Sequence, residues 1–177
     1  FLLFACTTSD LDYSTALPGK TQEACTPADA GSYARNTPEK LVGVKVFTME
    51  EDLQSIRSAD EIKSLGLNTA SISFAIPYDE QGNLRYPFNP YGEQYSSVED
   101  TICRIGNLVH EMKSAGLNVY LSGEPHYYNP TDGEPPPALT EFEDPAVIEN
   151  FQSQVVPVME ELAKMAEKYK VEYVAPI

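Results

Sequence analysis

A cluster of polar and aromatic side chains follows a short apolar run in the middle of the chain. The run is Val119–Leu121, and the cluster comprises Glu124, His126, Tyr127 and Tyr128. Gly123 and Pro125 disfavour regular strand structure, so we expect the strand to end at Leu121. A carboxylate, an imidazole and two phenols would then lie together at the end of a strand, where they could hydrogen-bond to a ligand or stack on it.

The element before this strand occurs twice in the chain. Lys63–Asn68 and Lys113–Asn118 have nearly the same sequence and lie fifty residues apart. Gly66 and Gly116 occupy the position at which a helix commonly ends with a left-handed residue. Helix, glycine and strand therefore recur as a unit, and we expect the strands of successive units to be parallel neighbours.

The composition is that of a single acidic globular domain. The chain has 177 residues, of which 42% are hydrophobic and 22% charged, and its formal net charge is −15. Nucleic acids and anionic membrane surfaces bind clustered Lys and Arg side chains, but the chain has only 12 basic residues and no run of them. We therefore expect neither as a partner.

The three cysteines do not form a zinc motif. Cys6, Cys25 and Cys103 lie far apart and show no CxxC or Cys/His spacing. We interpret Cys103 as a packing residue of a helix, and His110 of the same helix as a partly buried or surface histidine without function. No metal site and no other cofactor is expected.

The N-terminal residues resemble the end of a bacterial lipoprotein signal. The run Phe1–Ala5 is apolar and Cys6 follows a small residue, as in a lipobox whose cysteine is lipidated. An arbitrary apolar end without this function is the alternative. The run is too short to span a bilayer, so membrane attachment would be through a lipid anchor. We interpret residues 1–40 as a signal-peptide remnant and flexible lead-in of a secreted or cell-surface protein.

Four strands and three helices are predicted in alternating order. The predicted strands are Leu41–Phe47, Thr69–Ile76, Val119–Leu121 and Val171–Ile177. Pro77 is expected to close the second strand. The first helix should start at a capping box of Thr48 and Glu51 and end at Gly66.

The second and third helices have clear start signals. Ser96 or Ser97 would cap the second helix, whose apolar stripe is formed by Val98, Ile102, Ile105, Val109 and Met112. The third helix would begin with Asp144 as N-cap and Pro145 in the first turn. Pro157 inside it predicts a kink.

A loop of roughly twenty residues follows the second strand. It carries five aromatic side chains, namely Tyr78, Tyr86, Phe88, Tyr91 and Tyr95. Long loops in compact domains are commonly functional, so these rings are candidates for lining a pocket. The alternative is a loop that folds over the sheet and buries its own rings.

The element order indicates an α/β fold with a parallel sheet, either part of a (β/α)8 barrel or a doubly wound sheet. No glycine-rich phosphate loop follows a predicted strand, and the long polar and aromatic segments all follow strand ends, which favours the barrel. A complete barrel has about 250 residues. We therefore expect residues 41–177 to be the N-terminal half of a (β/α)8 TIM barrel, with its first four strands and three helices.

Several segments resemble the N-terminal half of clan A glycoside hydrolases, the barrel enzymes that include mannanases, cellulases and galactanases. They are Gly43–Phe47, Glu124-Pro125-His126, Tyr173–Ile177 and the two Gly-Leu-Asn segments that link a helix to the next strand, which we call the joints. The resemblance implies retaining hydrolysis of a polysaccharide or oligosaccharide by two glutamates, which follow strands four and seven. Both positions would lie beyond Ile177, so no catalytic residue is assigned and this chain alone is expected to be inactive.

The resemblance also implies substrate contacts at the end of the third strand. Such barrels often place a histidine or another polar group there against the sugar, so His126 is the best candidate for a substrate hydrogen bond. Glu124, Tyr127 and Tyr128 could orient it or stack on a pyranose ring, and Tyr78 could contribute from the loop after strand two. His126 could instead satisfy backbone groups in a tight turn.

Two other functions are considered. A non-catalytic surface lipoprotein that captures carbohydrate would fit the possible lipidation of Cys6, the acidic surface and the aromatic loops. A metal-dependent hydrolase would use Glu124 and His126 as ligands, but such sites usually gather several His and Asp side chains and the chain has two histidines. The functions that involve carbohydrate are therefore preferred.

Overall fold

Four parallel strands form one sheet in the part of the chain that the structure describes. The structure, a computed structural model, describes residues 25–47, 58–84, 97–127 and 144–175. The elements in chain order are β1 (Gly43–Phe47), α1 (Ala59–Ser64), β2 (Thr69–Tyr78), α2 (Val98–Ser114), β3 (Asn118–Tyr127), α3 (Pro145–Lys168) and β4 (Tyr173–Ala175). The strands pair in the order β1-β2-β3-β4, each parallel to its neighbour. The predicted α/β class and the sequential parallel sheet are therefore confirmed.

Each described helix is followed by a residue with a left-handed backbone. Gly66 and Gly116 have φ angles of +73° and +80°, as the repeated joint predicts. In each joint the N–H groups of this residue and of the next one donate to carbonyls of the last helical turn, which is the Schellman arrangement. α3 ends in the same way at Lys170, whose φ is 56° although it is not a glycine.

After each helix, a polar side chain at the start of the next strand forms a hydrogen bond with the backbone at the start of the preceding strand. Asn68 accepts a hydrogen bond through Oδ1 from the N–H of Val42 at 2.9 Å. Asn118 donates from Nδ2 to the carbonyl oxygen of Asn68 at 2.8 Å. Glu172 accepts through Oε2 from the N–H of Val119 at 2.8 Å. These contacts fix the register of the four strands at their N-terminal ends.

One face of the sheet packs against the helices and forms the core. The buried strand residues on this face alternate along each strand, and they are Val46, Ala70, Ile72, Phe74, Ile76, Tyr78, Val119 and Leu121. Helix residues in the same cluster include Ile105, Val109, Met112, Phe151, Val155 and Leu162. The apolar stripe predicted for the second helix therefore lies on the side of α2 that packs against the core.

α2 and α3 begin where the sequence predicts. Ser97, one of the two candidates, caps α2 through its side chain. Asp144 caps α3 by accepting a hydrogen bond from the N–H of Ala146 at 2.9 Å, and Pro145 lies in the first turn. Pro157 lies inside α3.

α1 begins later than the sequence predicts. Ser58 and Glu61 form a capping box, so the helix starts at Ala59. The backbone of Ser58 is extended, with ψ at 148°, which excludes one continuous helix from Thr48 onwards. The predicted cap at Thr48 itself lies outside the described residues.

β2 and β3 are longer than the sequence predicts. They pair with each other at ten successive positions, over their whole lengths. Pro77 therefore does not close β2, and Gly123 and Pro125 do not end β3 at Leu121. Hydrogen bonds along the shared edge stabilise the extended backbone of both strands, which outweighs the donor lost at each proline.

Residues 25–36, which we call the strap, contain no helix or strand but are fixed to α2 and α3. A disulfide joins Cys25 to Cys103 of α2, so the interpretation of Cys103 as a packing residue is wrong. Further along the strap, the carbonyl oxygen of Ala28 accepts a hydrogen bond from Oη of Tyr169 at 2.7 Å. The flexible lead-in that the composition predicts is therefore held in place over this part.

Candidate functional site

The face of the sheet that lies opposite the helices is polar and partly exposed. Seven of its polar and aromatic residues together form what we call the polar face, namely Lys45, Ser71, Ser73, Tyr120, Ser122, Glu124 and Tyr173. Parallel pairing brings them side by side, because directly opposite residues of neighbouring strands share a face. A parallel sheet covered on both faces would carry apolar residues at these positions. The polar face is therefore the candidate site.

Lys45 and Glu124 form an ion pair across the polar face. The Nζ atom of Lys45 lies 2.6 Å from Oε1 of Glu124. Lys45 belongs to β1 and Glu124 to β3, so the pair spans the intervening strand β2. The two side chains are 40% and 48% exposed, so a ligand on this face can reach both charged groups.

Two tyrosines lie side by side on the polar face. Tyr120 of β3 and Tyr173 of β4 are directly opposite each other in the strand register. Each is 36% exposed, so both are accessible to a ligand on this face. Together they offer adjacent apolar ring surfaces that also carry hydroxyl groups.

Two serine side chains lie on the polar face between the tyrosines and the ion pair. Oγ of Ser73 and Oγ of Ser122 are 3.0 Å apart and hydrogen-bonded. Ser122 lies two residues from Tyr120 on one side and two from Glu124 on the other, so all three side chains lie on one face of β3. The arrangement combines aromatic surface, hydroxyl groups and one pair of opposite charges.

Four residues at the end of the third strand are predicted to contact substrate, and the structure describes them to different extents. Glu124 lies on the polar face, where it contacts Lys45. His126 and Tyr127 are the last residues of β3, but their side chains lie outside the described part of the structure. Tyr128 lies wholly outside the described residues. The substrate contacts of these last three residues stay predictions.

Tyr78 is a core residue. It is 2% exposed, and its ring packs on that of Phe151 in α3 with centroids 5.0 Å apart. The alternation of β2 brings it to the same face as Phe74 and Ile76, which the helices cover. The interpretation of Tyr78 as a ring that contacts substrate therefore does not hold.

Lys45, Tyr120 and Tyr173 are not apparent as site residues from the sequence. Tyr120 lies between two buried residues, Val119 and Leu121. The strand predicted from the sequence contains these three residues alone, and all three are largely apolar. The period of two, which separates these faces, becomes a signal only when β3 is known to continue beyond this run.

Hollows also lie among the helices, away from the polar face. One of about 460 Å³ lies between α1 and α2 beside His110 and Glu111. Another of about 400 Å³ lies between α2 and α3 beside Met165 and Tyr169. His110 is hydrogen-bonded through Nδ1 to Oη of Tyr33 at 2.6 Å, so it helps to fix the strap. Neither hollow is lined by residues of the polar face.

Metal clusters and membrane-spanning helices are absent from the part of the chain that the structure describes. Within residues 25–47, 58–84, 97–127 and 144–175, no three His, Cys, Asp or Glu side chains lie close enough to hold a metal ion. The described helices include none that is both long and apolar enough to cross a membrane. A metal site at Glu124 and His126 stays untested, because the His126 side chain lies outside the described part.

Comparisons of the chain with protein-family models, curated proteins and solved structures found no match. The resemblance to clan A glycoside hydrolases therefore stays a prediction from the sequence motifs.

Proposed function

We propose that this chain contains the first half of a (β/α)8 barrel of the glycoside hydrolase type, and that its polar face binds carbohydrate. The observation that carries the proposal is the pairing of Tyr120 with Tyr173, both 36% exposed, beside hydroxyl groups and an ion pair. In a closed barrel this face would line the interior, which is normally filled with branched apolar side chains. Polar groups at these positions favour a ligand there.

Carbohydrates present two kinds of surface that match this arrangement. A pyranose ring has an apolar face of C–H groups, which packs on aromatic rings such as Tyr120 and Tyr173. Its hydroxyl groups both donate and accept hydrogen bonds, so they can bind the ammonium group of Lys45 and the carboxylate of Glu124. Sites for small ligands commonly combine apolar surface with a few polar groups in this way.

The polar face is assigned substrate binding rather than catalysis. Retaining hydrolysis needs two carboxyl groups about 5 to 5.5 Å apart. Among the described strand residues, Glu124 is the single carboxylate. This observation also favours a second candidate function, a non-catalytic protein that captures carbohydrate. A hydrolase of this type would release reducing sugar from β-mannan, β-glucan or β-galactan only together with the second half of the barrel, whereas a capture protein would release none in either form. We expect none from this chain alone.

The disulfide supports a location outside the reducing cytosol. Cys25 and Cys103 are paired, and disulfides persist mainly in secreted and cell-surface proteins. The remaining cysteine of the sequence is Cys6, whose lipidation stays part of the proposal. Mass spectrometry of the protein isolated from membranes would show an added diacylglyceryl group if Cys6 is lipidated.

Binding of neutral hexasaccharides tests the proposal. We expect mannohexaose, cellohexaose or β-galactohexaose to bind the 177-residue chain in calorimetric titrations, and Tyr120→Ala or Tyr173→Ala to weaken binding roughly tenfold. Val156→Ala is the control, because Val156 is 53% exposed on α3. No binding of any of the three sugars, or equal weakening by Val156→Ala, would overturn the proposal.

A further inference from the structure

The described strands carry one cationic and one anionic side chain, and the two form an ion pair. Lys45 is the only Lys or Arg, and Glu124 the only Asp or Glu, in the strand residues that the structure describes. Their charged groups are 2.6 Å apart, so the polar face has no net charge from its strands. The whole chain, in contrast, has a formal net charge of −15.

We infer that the polar face selects uncharged glycans over uronic-acid glycans, and that Glu124 is the residue that determines this selectivity. The inference rests on the proposed function and names the substrate class of the same site. Lys45 is the cation in the described strands that could pair with a uronate carboxylate. Its ammonium group already forms an ion pair with Glu124. A uronate would therefore have to compete with a carboxylate that is held in place.

Two physical effects act against an acidic glycan. Displacing Glu124 from Lys45 would place two carboxylates side by side on the polar face, and like charges in contact repel. The negative field of the whole chain adds a weaker, salt-dependent repulsion at longer range. A neutral hydroxyl meets neither cost, because it can donate to Glu124 while it accepts from Lys45.

The matched set of variants separates the local effect from the net charge. Glu124→Gln removes the carboxylate, keeps the side-chain shape and takes this counter-charge away from Lys45. Glu161→Gln changes the net charge by the same amount on α3, where Glu161 pairs with Lys164. Lys45→Met removes the cation and leaves Glu124 without it. Both members of the Lys45–Glu124 pair are solvent-exposed, so these variants should fold, and their thermal midpoints verify it.

The measurement is calorimetric binding of neutral hexasaccharides and of hexameric galacturonate and glucuronate at low and high salt. We expect the unmodified chain to prefer the neutral glycans, and Glu124→Gln to reduce the preference about tenfold, the factor for one charge-assisted contact. Glu161→Gln should leave the preference unchanged, and Lys45→Met should preserve or increase it. The change in Glu124→Gln should shrink at high salt.

The alternative outcomes are distinguishable. Equal binding of neutral and uronate hexamers by the unmodified chain would overturn the inference and leave the proposed function intact. Equal shifts in Glu124→Gln and Glu161→Gln would also overturn it, because the effect would then come from net charge. Absence of binding to every glycan would overturn the proposed function, and the inference with it.

Discussion

Lys113 and Glu172 form an ion pair that is almost closed off from solvent, with 3% and 1% of their side chains exposed. The Glu172 carboxylate also accepts hydrogen bonds from the N–H groups of Val119 and Asn36. Lys113 also donates to the carbonyl oxygen of Ala34 at 3.1 Å. This one pair therefore joins α2, the start of β3 and the strap.

The first prediction is that Glu172→Gln strongly destabilises the protein. The variant leaves the Lys113 ammonium group buried without its counter-charge, so we expect the free energy of unfolding to fall by about 3–5 kcal/mol. Urea denaturation measures it, with Glu161→Gln, which breaks the exposed pair with Lys164, as a control without measurable effect.

A double variant refines this prediction. Lys113→Met combined with Glu172→Gln removes both buried charges, so its loss should be smaller than the sum of the two single losses. A loss of less than about 1 kcal/mol in Glu172→Gln alone would show that water reaches the pair and that it is not a buried contact.

The second prediction concerns the disulfide. Replacing Cys25 and Cys103 by Ser opens a loop with a sequence separation of 78, so we expect a loss of about 4 kcal/mol in unfolding free energy from the added chain entropy of the unfolded state. Thiol titration of the denatured chain, prepared without lipidation of Cys6, should find one free thiol, that of Cys6, before reduction and three after it. Three free thiols without reductant would contradict the pairing.

The third prediction compares two glycines with nearly the same backbone. Gly66 and Gly82 have φ angles of +73° and +75°, but a Cβ atom at Gly82 would lie 2.3 Å from the carbonyl oxygen of Val147, whereas one at Gly66 would meet nothing within 4 Å. Gly66→Ala should cost about 1 kcal/mol from the left-handed backbone alone. Gly82→Ala should cost roughly 1–3 kcal/mol more because of the clash. Equal losses in thermal or urea unfolding would contradict the close contact between this turn and α3.

The fourth prediction concerns pH. Hydrogen bonds from Lys170 and Arg35 lower the pKa of Glu167 to about 2 from its ordinary value of 4.5. Because the folded-state pKa is the lower one, the contact stabilises the protein above pH 4.5 and is lost as the pH falls towards 2. The stability difference between the unmodified chain and Glu167→Gln should therefore be present at neutral pH and vanish near pH 2.

The same pKa can be observed directly. Titration of the Glu167 carboxyl carbon by NMR should show an upward shift in both Lys170→Gln and Arg35→Gln, with the larger shift in Lys170→Gln. High salt should reduce the stability difference between the unmodified chain and Glu167→Gln, because the groups are exposed. A Glu167 pKa near 4.5 in the unmodified chain would exclude these contacts in solution.

Features that depend on near neighbours along the chain can be read from the sequence alone. Gly66 and Gly116 end their helices as predicted, and Ser97 and Asp144 begin theirs. The backbone groups at a helix end are satisfied by residues within one turn, so a short pattern contains the necessary information. Lys170 has the same left-handed backbone, but its position at a helix end cannot be predicted in this way, because lysine is not a residue type that favours this conformation.

Contacts between distant residues are decided by the tertiary structure. The Cys25–Cys103 disulfide and the Lys113–Glu172 ion pair each join residues more than fifty positions apart. No local pattern predicts either one, since both depend on how the strap and α3 dock against α2. The length of β3 is also decided by the tertiary structure, because pairing with β2 extends the strand through Gly123 and Pro125.

Whether a tyrosine of the sheet is buried or exposed is likewise decided by contacts between distant parts of the chain. Tyr78 and Tyr120 are the same residue type, yet Tyr78 is 2% exposed in the core and Tyr120 is 36% exposed on the polar face. Once the length of β3 is known, the period of two along the strand separates Tyr120 from its neighbours Val119 and Leu121. Which of the two alternating sets faces the helices is decided when the helices dock on the sheet, and that docking involves the whole chain.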